Sequence, residues 1–323
     1  MFSELIDIKE NDLLSVDLEL LNILLHDNSS NKNIIWATDN YEKFGEQYKF
    51  ESPITIESIT GKNGEVIKPR IEKTSKEQLK RIKDNAEVFT PSWICNEQNN
   101  LADDDWFGYK NVFNKSVNKT WITNYEKIVF KNEKKWTDYI ESLRMEISCG
   151  EGPYLISRYD TVTGNAIDVK DRIGLLDRKL RVVSENIDDE ENWIEWATKS
   201  VKSIYGYDWQ GDNVLLTREN AIFTFIDFYF EKFNKKPSVD LIKEIAIIIS
   251  WNIWQMDGIK FIIPNSCKNE KIINYTLFGE EIIKTECIGC KNNNNYKHNG
   301  IYCKIMNWNK NKVIKFCSIV SKK

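Results

Sequence analysis

The residues of this chain best suited to ligand chemistry lie in an acidic, glycine-rich segment, EISCGEG, at positions 146–152. Glu146 is followed by Cys149, Gly150 and Gly152. Glycine lets the backbone approach a ligand without an intervening Cβ, and ligands of open α/β sheets lie beyond the carboxyl ends of the strands. The segment therefore predicts a ligand pocket at a strand end, and the alternative is an ordinary strand-to-helix turn.

Two further acidic residues follow apolar segments. Asp208 ends the segment 203–208, and Asp257 follows the apolar run 245–254. A carboxylate at a strand end can accept hydrogen bonds from both hydroxyls of a ribose. Each acid also has a purely structural interpretation, in which Asp208 caps the next helix and Asp257 is a turn residue.

A pair of cysteines near the end of the chain has the spacing of a zinc knuckle. Cys287 and Cys290 are separated by two residues, and His298 and Cys303 follow closely. Together the four side chains can supply a tetrahedral zinc site. The alternative is that these cysteines are unligated thiols in a turn around Gly289.

A metal-dependent nuclease is an alternative from another class of enzyme. Its candidate residues are Asp105, Glu133, Lys134 and Lys135, since carboxylates can hold a divalent metal and a lysine can orient water. Triplets of this kind are also common on solvated surfaces. The chain has only two histidines, which disfavours hydrolases that depend on a histidine base.

Helices and strands alternate in the middle of the chain, which predicts an α/β fold with a parallel sheet. The expected strands lie at 128–130, 203–208 and 245–254. The expected helices lie at 134–145, 188–202 and 212–233.

The two ends of the chain differ from this middle part. Residues 1–84 are expected to form a helical or mixed N-terminal region, with helices at 13–26 and 73–84 and a strand at 33–38. Residues 265–323 are expected to form a β-rich extension with a hairpin of strands 301–306 and 313–320. The middle region then spans residues 85–264.

The charge of the chain is unevenly distributed. The net charge is −4, but nine lysines and one glutamate from residue 284 onward give this tail +8 and leave −12 for the rest. Tyrosine, tryptophan and phenylalanine are interleaved with these lysines, which is typical of a surface that binds nucleic acid. Compositional bias toward lysine and asparagine is the alternative explanation.

Composition also bears on location. The first residues do not resemble a secretion leader, and the longest apolar run is about half of the roughly 20 residues that span a bilayer. We therefore expect a cytoplasmic protein with no membrane partner. Its seven cysteines are then expected to be reduced thiols or metal ligands.

The segment 85–91, NAEVFTP, resembles an element of amino-group DNA methyltransferases of restriction-modification systems. In that family a Phe-Thr-Pro element precedes the glycine loop, and strands that end in acids follow. Segments 86–100 and 147–163 also resemble proteins described as restriction endonuclease subunit M, and the overall likeness covers about residues 30–320. The resemblance implies a Rossmann-like methyltransferase sheet that binds S-adenosylmethionine.

The resemblance also implies roles for single residues. Phe89, Thr90 and Pro91 would pack over the cofactor, unless Thr90-Pro91 is only a helix start. Asp208 would bind the ribose and Asp257 the adenine amino group.

The distance in sequence between the glycine loop and Asp208 is long for this family. An inserted helix at 188–202 would explain it. If the insertion is instead part of the sheet, Asp177 or Glu185 becomes the candidate acid.

The chain departs from the family where the target amine should bind. None of its six prolines is adjacent to another, so the Asn/Asp-Pro-Pro-Tyr/Phe motif is missing. Asn307 and Trp308 are the substitute catalytic candidates, since an amide can hold the amine and a ring can stack a flipped base. The alternative is that Asn307 is a turn or phosphate-contact residue.

The sequence thus predicts an S-adenosylmethionine-binding DNA methyltransferase, acting on adenine N6 or cytosine N4, or a modification subunit of a restriction system. A catalytically inactive, DNA-binding subunit is the main alternative. DNA and a restriction or specificity subunit are the expected partners, and zinc is an additional expected ligand.

Overall fold

The computed structural model describes residues 9–85, 87–276 and 279–320. Helices and strands alternate over most of this length. The helices within these ranges are α1 Glu10–Val16, α2 Leu18–Leu25, α3 Ile56–Ile59, α4 Ser75–Asn85, α5 Ser92–Phe107, α6 Trp136–Glu141, α7 Leu175–Asn186, α8 Glu190–Lys202, α9 Gly211–Phe233, α10 Val239–Asn252 and α11 Ile288–Lys291. The strands are β1 His26–Asp27, β2 Lys32–Asn33, β3 Asn114–Val117, β4 Thr120–Thr123, β5 Arg144–Ile147, β6 Ile204–Asp208, β7 Ile253–Gln255, β8 Glu270–Thr276, β9 Gly279–Thr285, β10 Lys304–Asn307 and β11 Lys312–Lys315.

A three-stranded parallel sheet in the order β5-β6-β7 positions the candidate ligand residues. Helices α7 and α8 connect β5 to β6, and α9 and α10 connect β6 to β7, because parallel neighbours need crossover connections. In the register of the sheet, Ile147 lies opposite Tyr207 and Asp208 lies opposite Gln255. The carboxyl ends of β5 and β6 therefore meet at one edge. The remaining sheets are antiparallel pairs: β1-β2, β3-β4, β8-β9 and β10-β11.

Helix α9 is at the centre of the hydrophobic core. Every residue from Gly211 to Tyr229 is buried, and the helix contacts α2, α7, α10 and both β6 and β7. Helix α2 also packs on α10, so apolar residues of the N-terminal region belong to the same core as the parallel sheet. The boundaries expected near residues 84 and 264 stay predictions.

Several predicted elements are confirmed. Helices α4, α8 and α9 and strand β6 lie where the pattern placed them, and β10 and β11 form the expected antiparallel hairpin. This hairpin brings Ile305 and Phe316 into a second apolar cluster with Tyr207 and Trp254 of the parallel sheet. The C-terminal part of the chain therefore covers one face of β6 and β7.

The predicted strand at 245–254 is wrong, because most of this run lies in α10. Ile245, Ala246 and Ile249 are buried at helical spacing, and the hydroxyl of Ser238 caps the helix by accepting from the amide of Leu241. Only the last residues of the run belong to β7. An apolar run of this length does not by itself distinguish a buried helix from a buried strand.

Four other predicted elements also differ from the structure. The expected helix at 13–26 is divided at Asp17, which has an extended backbone and caps α2. The expected strand at 128–130 is not a strand, and the expected strand at 33–38 is reduced to β2 and a bridge between Ile35 and Pro53. The expected helix at 134–145 ends early because β5 begins at Arg144.

Candidate functional site

A cavity of about 770 Å³ lies at the carboxyl ends of β5 and β6. It is lined by residues of the loop after β5, the segment before α5, the turn after β6 and the segment 37–39. Six residues singled out in the sequence meet there, although they are far apart in the chain. They are Phe89, Thr90, Glu146, Cys149, Gly150 and Asp208.

The loop after β5 needs its glycines. Gly150 has a φ of +55°, and a Cβ at this position would lie 3.6 Å from the ring of Phe89. Gly152 has a φ of +76°, and a Cβ there would lie only 2.8 Å from the Cγ2 of Thr217. Gly152 thus shapes the loop from behind rather than lining the cavity, and a larger residue there would be strained by the positive φ and would displace the side chain of Thr217.

Asp208 ties the two strand ends together. One carboxylate oxygen accepts from the amide of Gly150 at 2.9 Å, and the other accepts from the amide of Gln210 at 2.9 Å and the side-chain nitrogen of Asn213 at 3.3 Å. Burial raises the pKa of Asp208 to about 6, although these hydrogen bonds oppose the shift. A carboxylate has about four acceptor positions, so one stays available to a ligand.

Glu146 is the second buried carboxylate at this edge. It accepts from the amides of Tyr154 at 3.4 Å and Leu155 at 3.1 Å. Burial raises the pKa of Glu146 to about 8, and the nearby charge of Asp208 adds to the shift. The side chain is therefore largely uncharged at neutral pH and gains its charge near pH 8, and a cationic ligand would favour the ionised form.

Glu87 was not recognised in the sequence. The Nε and Nη2 of Arg81 donate to the two carboxylate oxygens of Glu87, and the side-chain nitrogen of Asn213 donates to the same carboxylate at 3.0 Å. Arg81 also pairs with the buried Asp212 at 2.8 Å. This buried network fixes the end of α4 against the start of α9, and the residue pattern gave no sign of it because its members are spread over more than 100 positions.

The cavity is strongly acidic. Its lining includes five carboxyl groups and a single lysine, Lys83. Only one of these groups, Glu87, has an arginine partner within the network above. The acids are Asp39, Asp84, Glu87, Glu146 and Asp208.

Aromatic and sulfur groups complete the lining. The ring of Phe89 is 5.3 Å from the guanidinium of Arg70, and the indole of Trp209 is anchored by a 3.0 Å hydrogen bond to the carbonyl of Ala37. Trp209 remains about a third exposed at the rim. Burial raises the pKa of Cys149 well above its ordinary value, so its thiol stays neutral and is not a nucleophile.

Besides Gly152, two predicted cofactor residues, Pro91 and Asp257, lie outside this lining. Pro91 caps the start of α5 and lies outside the cavity lining, which agrees with the helix-start interpretation. The carboxylate of Asp257 accepts from the amides of Ile259 and Lys260 at 3.0 Å, so Asp257 stabilises a turn and does not line the cavity. Its predicted contact with adenine lacks structural support for that reason.

The alternative acids are also engaged elsewhere. Asp177 lies in α7 and accepts from the amide of Ser157 at 2.8 Å, and Glu185 pairs with Arg181. The long insertion before Asp208 consists of helices α7 and α8 rather than an additional strand of the sheet. Asp208 is therefore the acid at the second strand end.

Asn307 and Trp308, the predicted catalytic residues, lie at the opposite end of the sheet from this cavity. The oxygen of Asn307 caps its own turn, and the indole of Trp308 donates to Asn252, just before β7 begins. Both residues line a separate cavity of about 460 Å³ with Arg144 and Ser203, at the amino ends of the strands. Strand β6 alone separates the two ends by roughly 13 Å at about 3.3 Å per residue, so Asn307 and Trp308 do not meet the residues that line the first cavity.

Four side chains near the end of the chain converge on one point. Cys267, Cys287, Cys290 and His298 place their ligand atoms within 4.8 Å of one another. Cys303 was predicted in this set, but its thiol instead points to the carbonyl of Gln255 at 3.3 Å. Cys267 takes its place, and its distance in sequence from the knuckle concealed it.

The residues of the alternative nuclease do not assemble. Within the described ranges only the cysteine–histidine group contains three or more potential metal ligands in such proximity, and Asp105 and Glu133 are not in it. Lys134 instead donates to the carbonyl of Trp106. This arrangement offers no support for a carboxylate metal site.

Comparisons of the chain with protein-family models, curated proteins and solved structures found no match. Among the described residues, none of the helices combines the length and apolar character that a membrane crossing requires.

Proposed function

We propose that the acidic cavity binds S-adenosylmethionine. The observation that carries the proposal is the bond between the amide of Gly150 and the carboxylate of Asp208, with Glu146 beside it at the carboxyl edge of a parallel sheet. Ligands of open α/β sheets occupy this edge, where a glycine loop allows close approach. The proposed fold is a Rossmann-like methyltransferase sheet of which β5, β6 and β7 are one half.

Charge distinguishes this ligand from a nucleotide. S-adenosylmethionine carries a sulfonium, an ammonium and one carboxylate, so it is a net cation near neutral pH. Arg81 offsets the charge of Glu87, and Glu146 is largely protonated near neutral pH. The remaining acids Asp39, Asp84 and Asp208 still outnumber Lys83, which favours such a cation and disfavours a di- or triphosphate. The spare acceptor positions of Asp208 and Glu146 suit the ribose hydroxyls and the ammonium group.

The proposed reaction is methyl transfer to an amino group of DNA. The described lysines of the C-terminal part support DNA binding, because most of them are exposed. Lys315 lies 5.2 Å from the ring centre of Tyr302, an arrangement that suits phosphate and base contacts. The acidic cavity itself would repel a phosphate backbone, so the target base would have to be flipped toward it.

A specific observation favours a second candidate, a cofactor-binding subunit that needs a partner for catalysis. The substitute amine-binding residues, Asn307 and Trp308, lie at the far end of the sheet. Strand β5 pairs only with β6 among the described strands, and alternate apolar residues along and beside it are exposed. These are Leu143, Met145 and Ile147, with exposures of 63%, 47% and 64%. An additional strand or subunit could therefore extend the sheet there.

One experiment distinguishes the two candidates. The full chain is incubated with S-adenosylmethionine and DNA of mixed sequence, and N6-methyladenine and N4-methylcytosine are measured by mass spectrometry. Transfer supports the complete enzyme. Binding of the cofactor without transfer supports the partner-dependent subunit, and the absence of binding refutes both.

A further inference from the structure

The four converging side chains after β7 have the geometry of a metal site. The Nδ1 of His298 lies 3.5 Å from the sulfur of Cys267, 3.6 Å from that of Cys287 and 3.6 Å from that of Cys290. The sulfurs of Cys267 and Cys287 are 3.5 Å apart. This sulfur separation is far longer than the roughly 2.05 Å of a disulfide bond.

The sulfur–nitrogen separations match a zinc tetrahedron, whereas the 3.5 Å between the sulfurs of Cys267 and Cys287 is about 0.3 Å shorter than the tetrahedral sulfur separation. With Zn–S bonds of about 2.3 Å and Zn–N bonds of about 2.0 to 2.1 Å, tetrahedral geometry places two sulfurs about 3.8 Å apart and a sulfur and a nitrogen about 3.6 Å apart. The three sulfur–nitrogen distances agree with this value within 0.1 Å, since they are 3.5, 3.6 and 3.6 Å. A single ion at the centre would contact all four ligands.

The backbone around the cysteine pair is shaped to admit the histidine. A Cβ on Gly289 would lie 2.6 Å from both the backbone nitrogen and the Nδ1 of His298, so only glycine permits this approach. The amide of Cys290 donates to the sulfur of Cys287 at 3.4 Å, which stabilises a thiolate. The hydroxyl of Tyr302 accepts from the amide of His298 at 2.9 Å and fixes the histidine backbone.

The ligand types select the metal. Three thiolates and one imidazole suit zinc, whereas magnesium and calcium require oxygen ligands. Three thiolates and a dication give a net charge of −1, and Lys260 and Lys268 line the same pocket and can offset it. A set of four protein ligands leaves no open position for substrate, which is typical of structural rather than catalytic zinc.

We propose that Cys267, Cys287, Cys290 and His298 bind one structural Zn²⁺ ion. Cys267 precedes β8, the cysteine pair follows β9, and His298 precedes β10. The ion therefore links the two ends of the β8-β9 hairpin to the start of the β10-β11 hairpin. Its loss would loosen this part of the chain without directly altering the cavity at the carboxyl edge of the parallel sheet.

The test uses the full chain, purified under reducing conditions without chelator. Elemental analysis should give roughly one zinc per chain in the wild type, and Cys267→Ser should reduce the content by about tenfold or more. Cys303→Ser is the matched control, since Cys303 is a buried thiol outside the cluster, and it should retain the metal.

A second measurement covers variants that fail to fold. Chelation of wild-type zinc should make the three ligand thiols reactive, and titration with Co²⁺ should give the absorption of a tetrahedral thiolate complex. Absence of zinc in the wild type together with failure to take up Zn²⁺ or Co²⁺ would overturn the proposal. Loss of zinc from Cys303→Ser together with retention of zinc by Cys267→Ser would overturn the assigned ligand set.

Discussion

The amide of Gly150 donates a 2.9 Å hydrogen bond to the carboxylate of Asp208 across the ends of two neighbouring parallel strands. The hydroxyl of Thr217 in α9 donates to the carbonyl of Gly150 at 2.6 Å, so both backbone polar groups of this glycine are held. The glycine loop, the second strand and the central helix thus form one unit. Perturbing any of them should change both the cavity and the ligand affinity.

Gly150→Asp should abolish S-adenosylmethionine binding. The new side chain would lie against Phe89 and add a negative charge beside Asp208, in a backbone conformation that costs a non-glycine residue about 1 kcal/mol. Gly108→Asp is the matched control, because Gly108 also has a positive φ but nothing within 4 Å of a Cβ. Equal binding by both variants in calorimetry would contradict the assigned site.

Asp208→Asn should weaken binding by about tenfold or more and destabilise the fold by roughly 1–3 kcal/mol. An amide cannot accept all three hydrogen bonds that the carboxylate accepts, so a buried donor loses its partner. Asp257→Asn makes the same chemical change in a turn outside the cavity. We expect this control to leave the dissociation constant unchanged, and a comparable loss would assign the effect to general destabilisation.

Glu146→Gln should remove the contribution that this carboxyl makes to the pH dependence of the free energy of unfolding. The folded-state pKa of about 8 exceeds the ordinary 4.5, so the folded chain binds more protons than the unfolded chain between these values. The free energy of unfolding of the ligand-free wild type should therefore fall as pH rises from about 4.5 to 8, by roughly 1.4 kcal/mol for each pKa unit at most. Urea denaturation at several pH values tests this, and an identical slope in the variant would refute it.

The same residue should influence ligand binding in the opposite sense. A cationic ligand prefers the ionised form of Glu146, so the advantage of wild type over Glu146→Gln should grow as pH rises toward 8. Comparing the two proteins at each pH cancels the titration of the ligand's own ammonium group. A ratio of dissociation constants that does not change with pH would show that Glu146 does not contact the ligand charge.

Arg81→Ala should destabilise the fold by about 3–5 kcal/mol, because it leaves Glu87 and Asp212 buried without their main partner. Lys80→Ala, at the neighbouring exposed position of α4, should change the free energy of unfolding by less than about 0.5 kcal/mol. Thermal and denaturant unfolding measure both. Similar stabilities for the two variants would show that the buried network contributes little.

The cavity residues could be predicted from the sequence because each of them follows a short apolar segment at the end of a strand. Glu146, Gly150 and Asp208 each stand after a short apolar segment, and this position brings them together once the strands pair in parallel. The glycine requirement could also be anticipated, since a loop that approaches a ligand needs positive φ. These features depend on neighbours in sequence.

The features that prediction missed depend on tertiary packing. The run at 245–254 is mostly apolar and has no clear alternation, so its contacts as a helix with α2, α8 and α9 determine the outcome. Cys267 joins the knuckle because β8 and β9 return the chain to the same place. Arg81, Glu87 and Asp212 meet through packing of α4 on α9, which no periodicity reveals.

Isothermal titration of the purified full chain with S-adenosylmethionine is the most direct test of the central claim. We expect saturable one-to-one binding by the wild type and by Gly108→Asp, no binding by Gly150→Asp, and much weaker binding of ATP by the wild type. Absence of binding by a folded wild-type chain, or a preference for ATP, would contradict the assignment of the acidic cavity to a sulfonium nucleoside.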